Sequence, residues 1–393
     1  MLIRPFIEFA HDISFFNFMG YDFNMMSIWA SFLIFLELFY WIIRGQNPFR
    51  YRITNFIIAF MFSLLVGTIS SAGFSAIIQQ ILKILPWILL IPVIADISQH
   101  IKYEKIFLLF YKMILIFLII NIFIFVSGKY TSGYYGAAEF YSLYKGPHSF
   151  AFTLLLLMPF IYYKLLLKPK SVISWIALIS SILFMILTFV RTSLVAFSIM
   201  VIAAVIIERK YKNKLIFLLA SIAVFSILYY QFSFQIEQAI PSRMRDFDEA
   251  IYAGNMNSLG SGRFTIWPAQ LKHFFRGSAT QILFGSGLGS LKSITLDEVG
   301  IAVGGHNDYI DLLVGTGLIS VIFYIIFQIA LYKNAIQVYK HIDLSIGKIS
   351  ILVILATITA GMLNGIIYGQ SNVYGAVVLG IAVGKSAKKK ESL

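Results

Sequence analysis

Cysteine is absent from this chain of 393 residues. That excludes disulfides and thiol chemistry, and it leaves the compartment unreadable from thiols. Charge is scarce: 12% of residues are charged, where soluble domains carry about 25%. Acids are the rarer sign, 18 against 31 Lys and Arg, for a net charge of +13. The first residues lack a charged start followed by a short apolar core and a small-residue cleavage site, so no cleavable signal peptide is expected. Internal repeats and low-complexity tracts are missing too. So is the apolar–polar alternation of an outer-membrane barrel.

What is present is hydrocarbon. Hydrophobic residues make up 59% of the chain. Apolar runs of roughly 18 or more residues, the length that crosses a bilayer, recur along it. In lipid each spanning segment must satisfy its own backbone, so the spans are helices. We read about eleven: 26–43, 54–71, 76–96, 106–127, 149–167, 171–190, 192–208, 215–232, 312–332, 349–366 and 370–385. Residues 1–25, with Glu8, His11 and Asp12 among many aromatics, read as interfacial, and a twelfth span there stays open. The expected fold is an all-α polytopic membrane protein, residues 1–393 forming one membrane domain.

The charges assign sides. Arg44, Arg50 and Arg52 follow the first span, and Lys102 and Lys105 the third. Lys164, Lys168 and Lys170 follow the fifth, "ERKYKNK" the seventh, and Lys333, Lys340 and Lys348 the ninth. "KSAKKK" closes the chain. Every second loop is basic, while "ISSAGFS" and "YGQSN" on the other side are uncharged. Basic loops stay in the cytoplasm, which places the C-terminus inside and the N-terminus outside. The same rule accounts for the positive net charge. Nucleic acid is not an expected partner, since no basic stripe interleaves with exposed aromatics. One large segment, 231–311, is expected outside, and a loop of that length with little regular pattern is usually functional.

Three candidates for chemistry fall on the outer side: Arg191 at the start of the seventh span, Arg263 in "LGSGRFTIW", and His306 in "VGGHNDYIDLLVGTGLIS". Each sits near an expected helix N-terminus, where free N–H groups and the helix dipole favour anions. Two fork-shaped arginines suit a phosphate or pyrophosphate. A histidine beside them can take a proton near neutral pH. Each also has a plainer reading. Arg191 serves as a topological anchor, Arg263 as a solvated loop cation ahead of an amphipathic stretch (Phe264, Trp267, Leu271, Phe274), and His306 as an interfacial residue. Asn307 and Asp308 suit helix caps, and Asp311 a solvated position. His148 in "KGPHSFAF", Arg243 and Arg245 are secondary candidates. Asp246-x-Asp248 has a spacing that metal-dependent glycosyltransferases use, but nucleotide sugars are cytoplasmic and this loop is not, so no metal site is expected. "GSGLGS", without a preceding strand, reads as a turn rather than a dinucleotide loop.

Taken together these motifs resemble the O-antigen polymerase and O-antigen ligase superfamily of bacterial surface-glycan assembly. "TFVRTSLVAF" resembles the family's arginine-bearing helix start, and "SLGSGRFTIW" its second arginine motif in the large outer loop. "FGSGLGS" and "GHNDYIDLLVGTGLIS" resemble the Gly-rich segment and the His-Asn motif, with Ser320 where the family has a second glycine. "KGPHSFAF" resembles the motif opening the middle spans. The clearest match covers about 180–330. The resemblance implies a GT-C-like, metal-independent, inverting glycosyltransferase without cofactor in the bacterial inner membrane. Its donor would be an oligosaccharide on undecaprenyl pyrophosphate. Arg191 and Arg263 would bind the pyrophosphate, and His306 would orient or deprotonate the acceptor hydroxyl. Polymerisation of repeat units is the reading we favour, and a chain-length regulator is a partner such an enzyme takes. The alternatives are a ligase moving the glycan to lipid A–core or another acceptor, and a transporter or flippase of lipid-linked sugars.

Overall fold

The computed structural model describes residues 4–7, 14–18, 21–45, 47–69, 74–128, 131–132, 138–144, 146–208, 263–300, 302–367, 369 and 371–391. A helical turn, α1 (Arg4–Ile7), and a short antiparallel ribbon, β1 (Ser14–Phe18) with β2 (Tyr21–Asn24), precede the first long helix. Neither is long enough to span. The helices that follow are α2 (Met25–Arg44), α3 (Arg52–Ile69), α4 (Phe74–His100), α5 (Tyr103–Val126), α6 (Pro147–Leu167), α7 (Val172–Leu187) and α8 (Arg191–Ile207). Beyond them come α9 (Arg263–Arg276), α10 (Ala279–Phe284), α11 (Leu291–Val299), α12 (Asp308–His341), α13 (Leu344–Asn364) and α14 (Asn372–Glu391). A two-residue ribbon, β3 (Thr131–Ser132) with β4 (Ala138–Glu139), lies between α5 and α6.

Each expected span except one coincides with a helix. The exception, 215–232, lies outside the described residues, as do Arg243, Arg245, Asp246 and Asp248. Among the described residues six helical segments are long and apolar enough to cross a membrane: α2, Leu82–His100 of α4, α5, α6, α12 and α13. Arg52–Gly67, α7 and α8 are shorter apolar helices. The chain is thus a helical, polytopic membrane protein. Its outer faces agree: Phe35, Ile42 and Ile43 of α2, Phe123 of α5 and Val172 of α7 stand more than half exposed. In water that apolar surface would be an aggregation liability, while lipid covers it without cost. Helix α12 outruns the expected 312–332, because its last turns bury Ala335 and Val338 while Lys333 and Lys340 stay on the exposed face. The sequence reading also passed over Glu37, which is buried midway along α2, 3% exposed.

Close packing sets the helix order. On α14, Gly380 and Gly384 lie against Ile94 and Ala95 of α4, so the two backbones approach as small residues allow in membranes. Aromatic stacking ties α5 to α6, with Phe110 on Phe160 at 4.7 Å between ring centres.

Two ends of the bundle differ. At one end Arg44, Arg50 and Tyr40 converge on the buried Asp96. Tyr103 reaches Asp343, and Lys348 pairs with Glu208 at 2.8 Å. This is the end where the basic loops collect. Because α8 ends and α13 begins at the Lys348–Glu208 pair, the two helices run antiparallel. Each then rises about 24 Å, at about 1.5 Å per residue. The first residue of α8, Arg191, and the last of α13, Asn364, therefore stand at the same, opposite end.

Candidate active site

At that opposite end α12 begins. Its first turn is capped by Asn307, whose Oδ1 accepts from the Tyr309 and Ile310 N–H groups at 3.0 and 3.2 Å. Asp308 does not cap. It is fully buried, and its Oδ1 accepts from the Ile367 N–H at 2.9 Å, across to the turn after α13. The Asn307 amide donates to the Met362 carbonyl at 2.8 Å, one of those left over where α13 ends. Gly361 and Gly365 make the approach possible, since a Cβ on Gly361 would sit 2.5 Å from Asp308 Oδ2. The start of α12 and the end of α13 are thus clamped side to side.

Asp311 corrects the expectation of a solvated residue: it is 6% exposed, and its Oδ1 accepts from the Gly305 N–H at 2.8 Å. Trp267 of α9 donates its indole N–H to the Gly305 carbonyl at 2.6 Å. The buried face of α9 is Ile266, Ala269, Gln270 and Phe274, turned from the expected apolar stripe. Gln270 is fully buried against Gly305, so the face that α9 turns to the histidine loop includes a polar residue.

The Gly-rich segment is a turn, as expected, and it also closes a broken helix. Gly317 (φ 81°) interrupts α12, so the carbonyls of residues 314 and 315 lose their helical partners. The N–H groups of Ser286 and Gly287 replace them, at 2.9 and 2.7 Å. A Cβ on Gly317 would overlap the Leu283 carbonyl, which is why this contact needs glycine. Ser320 is buried and returns its hydroxyl to the Thr316 carbonyl at 2.9 Å, so serine serves at this close-packed position.

Asn364 is the residue on which the candidates meet. Its side-chain Oδ1 accepts from Arg263 Nη2 at 3.3 Å, and its amide donates to His148 Nδ1 at 3.1 Å. Its backbone carbonyl faces the His306 ring. The charge of Arg263 acts on both histidines. The structure thereby joins Arg263, His306 and the secondary candidate His148, through a residue the sequence reading did not single out. The signal for it was slight: an Asn-Gly pair ending an apolar run, which reads locally as an ordinary helix end.

Arg191 heads α8 at the same end and is exposed, but it is not among the charges that act on either histidine. A backbone bond from Phe140 N–H to the Leu187 carbonyl, 3.0 Å, ties the approach to His148 to the turn before Arg191. Among the described residues three non-glycines have left-handed φ: Ser142 (57°), Phe189 (53°) and His306 (52°). All three lie in the segments that present His148, Arg191 and His306. Such conformations cost of order 1–3 kcal/mol each and persist where surrounding structure holds them, commonly at functional sites.

His306 is held below the ordinary histidine range, first by loss of solvent around the ring and then by the guanidinium of Arg263, with the Asn364 carbonyl opposing. A ring so placed is neutral at neutral pH and free to accept a proton. Among the described residues no three His, Asp or Glu side chains are gathered as metal ligands would be.

Fold and site together define a polytopic membrane protein with a polar, strained cluster of arginine and histidine at one end of its bundle. Residues 176–325, less than half of the chain, match the protein family described as O-Antigen ligase. The matched stretch carries Arg191, Arg263 and His306, and it supports the O-antigen polymerase and ligase superfamily, whose members are glycosyltransferase-like membrane enzymes. His148 and Asn364 lie outside it. Comparison with curated proteins gives no match.

Proposed function

We propose that the protein is a membrane glycosyltransferase that polymerises undecaprenyl-pyrophosphate-linked oligosaccharide repeat units into surface polysaccharide. One observation carries the reading: Arg263 and His306 meet through Asn364 at the non-basic end of the bundle, in a chain that matches the O-Antigen ligase family. The donor's phosphates lie at the lipid headgroups while its prenyl tail stays in the bilayer. Arg263 and Arg191 hold the pyrophosphate. A planar guanidinium meets two phosphate oxygens at once and neutralises the charge that grows as this group leaves. Neutral His306 takes the proton of the acceptor hydroxyl while its oxygen attacks the anomeric carbon. The bond from that carbon to the pyrophosphate breaks on the opposite face, which inverts the anomer. The donor is already activated, so positioning, charge stabilisation and one base suffice, without metal or cofactor.

The same reading includes a GT-C-like fold with about eleven spans, the inner membrane as its location, the site on the periplasmic side and a cytoplasmic C-terminus. The gathering of basic loops at the far end of the bundle supports that orientation. A second reading, a ligase that transfers the finished glycan to lipid A–core or another acceptor, is favoured by the description of the matched family. One experiment separates them. His306→Ala is introduced in the source strain, its arrival in the membrane is verified, and the surface glycan is run on a gel. Collapse of the ladder to acceptor with one repeat unit supports a polymerase. Polymer accumulating on undecaprenyl pyrophosphate supports a ligase. An unchanged ladder refutes the role of His306 in both.

A further inference from the structure

At the basic end a cavity of about 280 Å³ opens between the start of α3, the second half of α12 and the last turns of α14. Its walls differ in chemistry. Phe56, Ile329 and Ala330 are apolar, and Ile329 is 47% exposed on the surface that faces lipid. Arg52, Lys333 and Asn334 bring polar groups to the same cavity. Some cations at this end are matched to acids, Arg44 and Arg50 to Asp96 and Lys348 to Glu208, while others such as Lys168 and Lys170 lie on a separate loop away from this cavity. Among the described residues neither the Arg52 guanidinium nor the Lys333 ammonium has a carboxylate or hydrogen-bond partner. Both side chains are exposed.

Topological anchoring accounts for cations at this end, because the basic loops collect there. It does not account for two unmatched cations, on different helices, lining one crevice with a lipid-facing apolar wall. That combination is complementary to a phosphate carried on a hydrocarbon tail. Volume narrows the ligand. Drug-sized pockets run from roughly 300 to 1,000 Å³, so this one takes a phosphate and its glycerol while the tails remain in the bilayer.

We infer that this crevice binds the head of an anionic glycerophospholipid from the leaflet at the basic end. Its phosphate sits between Arg52 and Lys333 beside the Asn334 amide, and its acyl chains run over Phe56 and Ile329. Bound there, the lipid braces α3, α12 and α14 against one another. Helix α12 is the element that carries the His306 loop at its other end.

The test uses the full chain purified in a neutral detergent. Native mass spectrometry counts retained lipid, and thermal-shift titration measures affinity for phosphatidylglycerol, phosphatidylcholine and inorganic phosphate. The expected result is one tightly held phosphatidylglycerol, no equivalent hold on phosphatidylcholine, and no competition by millimolar inorganic phosphate. A basic side chain at a lipid surface is worth roughly fivefold in affinity, so Arg52→Gln with Lys333→Gln should weaken binding about 30-fold. Ala330→Phe fills the crevice without changing charge and should abolish retention. Lys168→Gln with Lys170→Gln removes the same charge from the same end and should leave binding unchanged. Equal weakening by that control pair would reduce the effect to diffuse surface charge and overturn the inference. So would retention of lipid by a folded Ala330→Phe variant, or inorganic phosphate binding as well as the lipid. If Ala330→Phe does not fold, the two charge pairs decide.

Discussion

Replacing Asn364 with alanine removes two hydrogen bonds at once, one to Arg263, proposed to hold the donor, and one to His148 in the same cluster. The bond from Arg263 is charge-assisted, a class worth about 1.5–3 kcal/mol, and that from Asn364 to His148 is neutral, about 0.5–1.5 kcal/mol. At 3.3 and 3.1 Å neither is short, so the lower end of each range applies. The two sum to about 2 kcal/mol, which is roughly 30-fold in rate if expressed in the transition state. The assay is in vitro transfer from a lipid-linked donor, with membrane abundance of the variant measured in parallel. Asn364→Asp divides the effect, because the carboxylate still accepts from Arg263 but cannot donate to His148. Near-normal transfer in the aspartate variant together with loss in the alanine variant assigns the larger share to Arg263. Transfer within twofold of wild type in Asn364→Ala, at normal abundance, would refute the hub.

Three further outcomes follow from the same structure. Because burial and then Arg263 lower the His306 pKa below 6.5, the neutral base persists through neutral pH, and transfer should fall only as pH drops below that value. Arg263→Gln removes one of the lowering causes, so an NMR titration should find the ring's pKa raised; an unchanged value contradicts the coupling. Gly317→Ala combines left-handed strain with overlap on the Leu283 carbonyl and should cost more than the roughly 1–3 kcal/mol of strain alone, read as lost thermal stability and abundance. Gly300→Ala, at φ 75° with nothing within 4 Å of the new Cβ, should carry the strain alone; equal losses in the two variants would count against the helix-break contact. Lys348→Met removes the ammonium that faces the buried Glu208 carboxylate and should destabilise by about 3–5 kcal/mol, and Lys348→Met with Glu208→Leu should recover most of it. A double variant no more stable in chemical denaturation than the single one would show that the pair matters for more than its charge.

Much of the fold was readable from the chain itself. Apolar runs of spanning length, punctuated by Lys and Arg on alternate loops, located the long described helices with ends shifted by up to six residues, save the far end of α12, while the short helices α10 and α11 were not anticipated. They also anticipated that the basic loops would gather at one end. Both follow from local rules: hydrocarbon demands internally satisfied helices, and loop charge decides sidedness. The candidate residues were readable in part. Arg191, Arg263 and His306 stood out because a cation or a histidine on the uncharged side of a membrane protein is conspicuous.

What joins them was not readable, because packing between distant segments has no local signature. Asn364 lies 58 residues beyond His306, and nothing in "MLNGII" announces that its amide spans Arg263 and His148. Asp308 looked like a cap and is instead a cross-chain acceptor for Ile367, because Asn307 already fills the cap. Asp311 looked solvated and is buried, because Gly305 folds back onto its carboxylate. The "FGSGLGS" segment looked like a simple turn, yet its Ser286 and Gly287 N–H groups donate to the carbonyls that Gly317 frees in α12. The sequence by itself determined the solvent, the long helices and the set of candidate side chains, since those depend on composition and short-range spacing. Only the tertiary structure decided which of them touch, because hydrogen bonds are satisfied by whatever group the packed backbone brings within about 3 Å, and no spacing along the chain encodes that distance.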